Sequence, residues 1–146
     1  MPVKAVLDTN VLVSGLLTGG GPPRQIVDAW LEGRFVLVTS LYQAGELNHV
    51  LAYPRILRRL RLEDAEIKGI LAALLAEAEV VPGRLELPGL TRDPKDDAVV
   101  ACAQEGGAHY IVSGDQDLLA LVKYKAIQIV TPRQFVEVLA AQVEGG

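Results

Sequence analysis

Four acids lie far apart in the chain, Asp8, Glu46, Asp97 and Asp115, yet each falls at the end of an apolar run or in the opening turns of a helix-like stretch. Alternating strands and helices would aim such residues at one place. Two carboxylates about 4 Å apart repel by roughly 4 kcal/mol at an effective dielectric near 20, so four together either take up protons or bind a cation. Oxygen-only ligands select Mg2+ or Mn2+ over zinc, and Mg2+ keeps several waters and favours phosphate oxygens for its remaining positions. A water whose pKa is lowered by the metal attacks a phosphodiester in line while the metal neutralises the charge that builds up. The chemistry to expect is metal-dependent phosphodiester hydrolysis, with the acids as ligands or water orienters and no protein nucleophile. Neither His49 nor His109 lies in a ligand-spaced motif. Cys102, the single cysteine, sits between Ala101 and Ala103, where a buried small residue is expected rather than a nucleophile.

The elements that must hold these acids can be read from pattern and punctuation. Val3–Leu7 is a short apolar strand, and Gly19-Gly20-Gly21-Pro22-Pro23 breaks the chain before a helix from Pro23 to Glu32. Phe35–Val38 reads as a second buried strand. Ser40 with Gln43 three residues on forms a capping box for a helix to Tyr53, where Pro54 disturbs it. Ile67, Ile70, Leu71, Leu74 and Leu75 recur at the spacing of an amphipathic helix. Glu79–Val81 is a third strand ended by Pro82-Gly83, and Asp93-Pro94 opens a helix that Gly106-Gly107 stops. His109–Val112 makes a fourth strand, Asp115–Val122 a short helix, Ile127–Val130 a fifth strand, and Pro132 opens a last helix toward Gln142.

Short apolar strands alternating with helices predict a three-layer α/β/α fold around a mostly parallel five-stranded sheet. Ligands in such sheets bind beyond the carboxyl ends of the strands, where strand order reverses. Asp8 directly follows strand one, and Asp115 follows strand four by a Ser113-Gly114 turn, so the two meet if strand four lies beside strand one. Glu46 on the second turn after strand two and Asp97 on the first turn of the helix before strand four could then face the same crevice.

Each acid also has an ordinary explanation. Asp8 suits a turn, Asp97 a helix N-terminus and Asp115 an N-cap. Glu46 suits a solvated helix face, although Gly45, Leu47 and Val50 set it near packed residues, where an unpaired charge is costly. Helical spacing does not choose between Asp96 and Asp97. Asp117 competes with Asp115, and its place in the short helix suits a dipole partner equally.

Composition narrows the classes. With 146 residues, half of them hydrophobic, the chain fits one domain over 1–146 with a single core. The net charge of −4 comes from 18 acids and 14 bases, which is not the signature of a protein that coats nucleic acid. Without the four acids the remainder is neutral. The mean hydropathy of +0.27 hints at apolar surface reserved for another subunit. The longest apolar runs fall short of the roughly 20 residues of a membrane helix, the N-terminus lacks the form of a signal peptide, and one cysteine fits a cytoplasmic setting. Arg55, Arg58, Arg59 and Arg61 form a basic cluster that either holds substrate phosphates, together with Lys95, or is a solvated turn paired with Glu63 and Asp64. The Gly19–Gly21 loop is either a flap at the site or a plain connection. A haloacid dehalogenase-type phosphatase wants an Asp where this chain has Asn10, a receiver domain wants an acid where strand three ends in Val81-Pro82-Gly83, and a dinucleotide fold wants glycines at Asp8-Thr9-Asn10.

Taken in register, the local sequences resemble one family. Val6-Leu7-Asp8-Thr9-Asn10-Val11-Leu12-Val13-Ser14 is similar to the opening of a PIN domain, and Ser40 through Glu46-Leu47 to Val50-Leu51 and Pro54-Arg55 to its second motif. Arg92-Asp93-Pro94-Lys95-Asp96-Asp97 with Ala101-Cys102-Ala103 resembles the third, Ile111-Val112-Ser113-Gly114-Asp115-Gln116-Asp117-Leu118-Leu119 the fourth, and Pro132-Arg133-Gln134-Phe135 the closing segment. The resemblance runs over essentially the whole chain and is strongest to short prokaryotic toxins of toxin–antitoxin pairs, relatives of the VapC-type ribonucleases. It implies that Asp8, Glu46, Asp97 and Asp115 hold Mg2+ or Mn2+, with Asp97 favoured over Asp96 by an acid four residues before Ala101. It also implies Asn10 and Ser113 as supporting polar groups, with Thr9 helping to hold the loop. RNA as substrate, an antitoxin protein as partner and self-association into a dimer or higher oligomer follow from the same resemblance. The rival expectation is a PIN-like module that binds protein or RNA without cleaving.

Overall fold

A computed structural model describes residues 2–17, 20–60 and 64–145. Gly19 of the glycine loop, and Arg61 and Glu63 of the expected basic turn, lie outside the described residues. The first half runs β1 (Lys4–Leu7), α1 (Thr9–Leu17), α2 (Pro22–Leu31), β2 (Val36–Ser40), α3 (Leu41–Leu51), α4 (Pro54–Leu60), α5 (Asp64–Glu77) and β3 (Glu79–Val81). The second runs α6 (Pro94–Glu105), β4 (Tyr110–Val112), α7 (Gln116–Leu119), β5 (Lys123–Tyr124), β6 (Ile127–Val130) and α8 (Pro132–Gly145).

The sheet order is β3-β2-β1-β4-β6-β5. Every pairing is parallel except β5 with β6. The chain winds outward from β1 to β3, then crosses back to place β4 against the free side of β1, so strand order reverses between β1 and β4. This is the reversal expected from the sequence. The sheet has six strands rather than the expected five. After α7 the chain turns through Val122 and Lys125, both with positive φ (62° and 53°), and lays Lys123–Tyr124 antiparallel on β6. Two residues are too few to show a period-2 pattern. The same turn ends α7 at Leu119 instead of Val122. Two helices were also not expected: α1, whose Val11-Leu12-Val13 run has no polar stripe to mark a face, and α4, which carries the basic stretch.

Side chains alternate across the sheet, so each strand feeds two cores. Ala5, Leu7 and Leu37 pack with α1, α2, α3 and α8 around Phe135 and Leu139. Val6, Val38, Ile111 and Ile129 pack on the opposite face with Val99, Val100 and Ala103 of α6 and with Leu118. Burial on both faces explains why these strands read as unbroken apolar runs. Phe35 and Phe135 meet edge to face, their centroids 5.1 Å apart.

Gly15, in the middle of α1, weakens that helix by propensity but permits close contact with α2. A Cβ there would stand 2.6 Å from Cγ2 of Val27 and 2.9 Å from the carbonyl oxygen of Pro23. Gly15→Ala should therefore destabilise the fold by about 1–3 kcal/mol, measured by urea unfolding; a stabilised variant would show that α1 and α2 separate freely.

Candidate metal centre

Parallel strands end on the same edge of the sheet, and the acids collect there. Asp8 leaves β1 with its backbone N–H donating to Val112 O, 3.0 Å, and its carbonyl accepting the first bonds of α1 from Val11 and Leu12. Its carboxylate accepts a 2.8 Å hydrogen bond from Ser113 Oγ across the switch point. Ser113 is fully buried and accepts in turn from the Asp115 N–H, 2.9 Å. Asp115 caps α7 through Oδ1, which accepts from Asp117 N at 2.8 Å and Leu118 N at 3.4 Å. Asp115 is thus the expected N-cap, and it also lines the cavity between the strand ends. Burial raises the Asp8 pKa above its ordinary value; the Ser113 hydroxyl opposes that shift.

Glu46 arrives from α3, whose first turn is set by Ser40 accepting from the Gln43 N–H at 3.1 Å. Its carboxylate pairs with the Lys95 ammonium at 3.4 Å. From α6 the structure brings Asp96 into the cluster. The expectation that Asp97 faces the crevice is corrected: its Oδ1 accepts from Thr91 N at 2.6 Å and Thr91 Oγ1 at 2.7 Å, its Oδ2 from Gly89 N at 3.2 Å. Asp97 lies instead beside a separate cavity with Leu85, Leu87 and Pro88. Consecutive helical residues diverge by about 100°, so only one of the two can face the strand ends. The cap places the helix: Asp93 accepts from the Lys95 N–H at 2.9 Å, and Asp93 and Asp96, three apart, share its inward side.

Asp8, Thr9, Asn10, Glu46, Asp93, Lys95, Asp96 and Asp115 line one cavity of about 250 Å3. Asp96 is 6% exposed, and its Oδ2 is buried with no hydrogen-bond partner among the described residues. Burial and then the charges of Asp115, Asp93, Asp8 and Asp117 push its pKa up to about 6. Carboxylate oxygens of Asp96, Asp115 and Asp117 lie within 4.8 Å of one another, a spacing that suits ligands of one hard cation. The unpaired oxygen of Asp96 is what such a cation would satisfy, so the residues fit the metal. Asp117 is paired with Arg92 at 2.5 Å.

Arg55, Arg58 and Arg59 are exposed on α4 and are not among the residues lining this cavity. His49 bonds Tyr53, and His109 accepts from the Lys4 N–H. Cys102 is buried and its thiol is pushed up to about 12 by desolvation, which makes it unreactive. Sequence reasoning missed Asp93, Tyr42 and Gln43 as lining residues; the i, i+3 relation of Asp93 to Asp96 was the available signal. Among the described residues no helix is long and apolar enough to cross a membrane.

Comparison with known proteins matches residues 4–117 to the PIN domain, a span that holds every acid of the cluster. The uncharacterized protein MJ1680 of Methanocaldococcus jannaschii is 30% identical over 143 residues, covering 92% of this chain and 90% of that one. The chain belongs to the PIN-domain family, whose members are generally nucleases.

Proposed function

We propose that this chain is a divalent-metal-dependent endoribonuclease and the toxin of a type II toxin–antitoxin pair. The observation that carries the enzymatic half is the unpaired, buried Oδ2 of Asp96 beside the carboxylates of Asp115 and Asp117, in a cavity that Asp8 also lines. A buried carboxylate left without a partner costs several kcal/mol in order of magnitude, and a chain that keeps one beside other acids gains from a cation. Asp96, Asp115 and Asp117 would hold Mg2+ or Mn2+, with Asp8 as a further ligand and Glu46, paired with Lys95, as a water-orienting group outside the ligand set. When bound, the ion supplies an activated water and neutralises charge on the phosphate.

The chain's own groups do the rest. Ser113 fixes the Asp8 carboxylate and, by donating to it, favours its ionised form. Asp115 is aimed by its capping bonds. Arg92 and Lys95 supply positive charge near the acids, where RNA phosphates would be held, and Thr9 and Asn10 form polar walls. The toxin half rests on the motif resemblance, as do the antitoxin partner and self-association.

Asp8→Asn should lower cleavage of single-stranded RNA in Mn2+ by on the order of 100-fold or more, since losing even an outer-shell group costs 10–100-fold. Equal cleavage by the variant would sink the enzymatic reading. For the biological role, expression should arrest growth, and co-expression of a small DNA-binding protein from the adjacent reading frame should restore it.

A further inference from the structure

Of the acids that face the cavity or the ion position, two carry side-chain cations, and the two pairs differ. Arg92 is 85% exposed where it meets Asp117, a surface pair that solvent and salt weaken. Lys95 lines the cavity itself and meets Glu46, whose side chain is 24% exposed. Lys95 is also held at its backbone by the Asp93 cap on the first turn of α6, one residue from Asp96. The oxygens that converge on one ion position come from Asp96, Asp115 and Asp117; Glu46 is not among them. The unpartnered Oδ2 of Asp96 belongs to that inner set, whereas Glu46 already has its counter-charge.

We propose that Lys95 is a built-in cation of the site: it neutralises Glu46, keeps that carboxylate out of the ion's ligand set, and limits the cluster to one divalent ion. The proposal rests on the reading of the cluster as a metal centre. Nuclease sites with two metals hold them about 3.5–4 Å apart and use both to neutralise the phosphate. Here Glu46 is the cavity acid that already has a cation, and a second ion drawing on it would have to displace the ammonium. A lysine ammonium is a compact charge with three donors, so it can keep Glu46 and still donate to a phosphate oxygen. Lys95 thereby does for the substrate what a second metal does elsewhere.

Calorimetric titration of the full chain with Mn2+ tests this without measuring catalysis. The wild type should bind one ion. Lys95→Met, a change at a mostly exposed side chain, should expose Glu46 and bind a second, weaker ion, while Lys95→Arg should return the count to one. Glu46→Gln should keep the first ion, with affinity lowered by about tenfold at most, the mild end of the loss for a group outside the ligand set. Two ions on the wild type, one ion on Lys95→Met, or loss of the first ion in Glu46→Gln would each overturn the proposal while leaving a metal centre in place. No Mn2+ binding by the wild type would overturn the metal centre as well.

Discussion

Asp96→Asn is expected to abolish both Mn2+-dependent stabilisation and RNA cleavage, while the metal-free variant melts higher than the wild type at neutral pH. The two effects have one cause. Asp96 is buried beside other acids, and its pKa stands at about 6 in the folded chain against about 3.9 in an unfolded one. Between those values the folded state binds more protons than the unfolded state, so metal-free stability is greatest below pH 4 from this group and falls as pH rises through about 6. Asp8, raised by burial, adds to the same slope. An asparagine carries no charge to desolvate, so the variant should lose the Asp96 part of that slope. Discounted for solvent screening, the gain at pH 7 is on the order of 1 kcal/mol, or about 3 °C in Tm for a chain of this size. Bound metal reverses the dependence, because it requires the ionised carboxylate and stabilises only the folded state. The measurement is a set of melting curves from pH 4 to 8 in EDTA and in Mn2+. A variant that keeps the full Mn2+ shift, or one whose metal-free stability follows the wild-type pH slope, would remove Asp96 from the centre of the site.

What the sequence disclosed about this site depended on how each residue's direction is fixed. Asp8 and Asp115 were legible because each stands just beyond a strand end, and a parallel sheet brings such ends to one edge whatever the helices do. Ser113 shared that advantage. Glu46 was legible through the Ser40 cap, which fixes where α3 starts and thus which turn faces the strand ends. The choice between Asp96 and Asp97 depended instead on the rotation of α6 about its own axis. Its first turn, Pro94-Lys95-Asp96-Asp97, is polar on most sides, and the buried face declares itself only from Val99 onward. The family resemblance favoured the wrong neighbour for facing the cavity, since small residues at Ala101 and Ala103 fit either phase. The sixth strand escaped for a different reason: β5 exists because Val122 and Lys125 accept positive φ, and nothing in their side chains announces that.

Asp97→Ala is the second large effect expected, and it should separate folding from catalysis. The three hydrogen bonds from Gly89 and Thr91 end on its two oxygens, and they tie the loop before α6 to the helix's first turn. Thr91 Oγ1 also lies 2.8 Å from the Asp93 carbonyl oxygen, so the same loop braces the cap that sets the direction of Asp96. Hydrogen bonds to a charged group contribute about 1.5–3 kcal/mol each, and a buried donor left unpaired costs about 1–3 kcal/mol. Because Gly89 is exposed and regains water, the total for Asp97→Ala should be about 3 kcal/mol rather than the sum of three full bonds. A loss of that size lowers Tm by roughly 10 °C. Well below that temperature the variant should still bind Mn2+, since its ligands remain, and its cleavage should fall far less than that of Asp96→Asn. Asp97→Asn, which keeps an acceptor for the Thr91 N–H, should recover part of the lost stability. If Asp97→Ala instead melted like the wild type and lost Mn2+ binding, the two neighbouring acids would have to exchange roles.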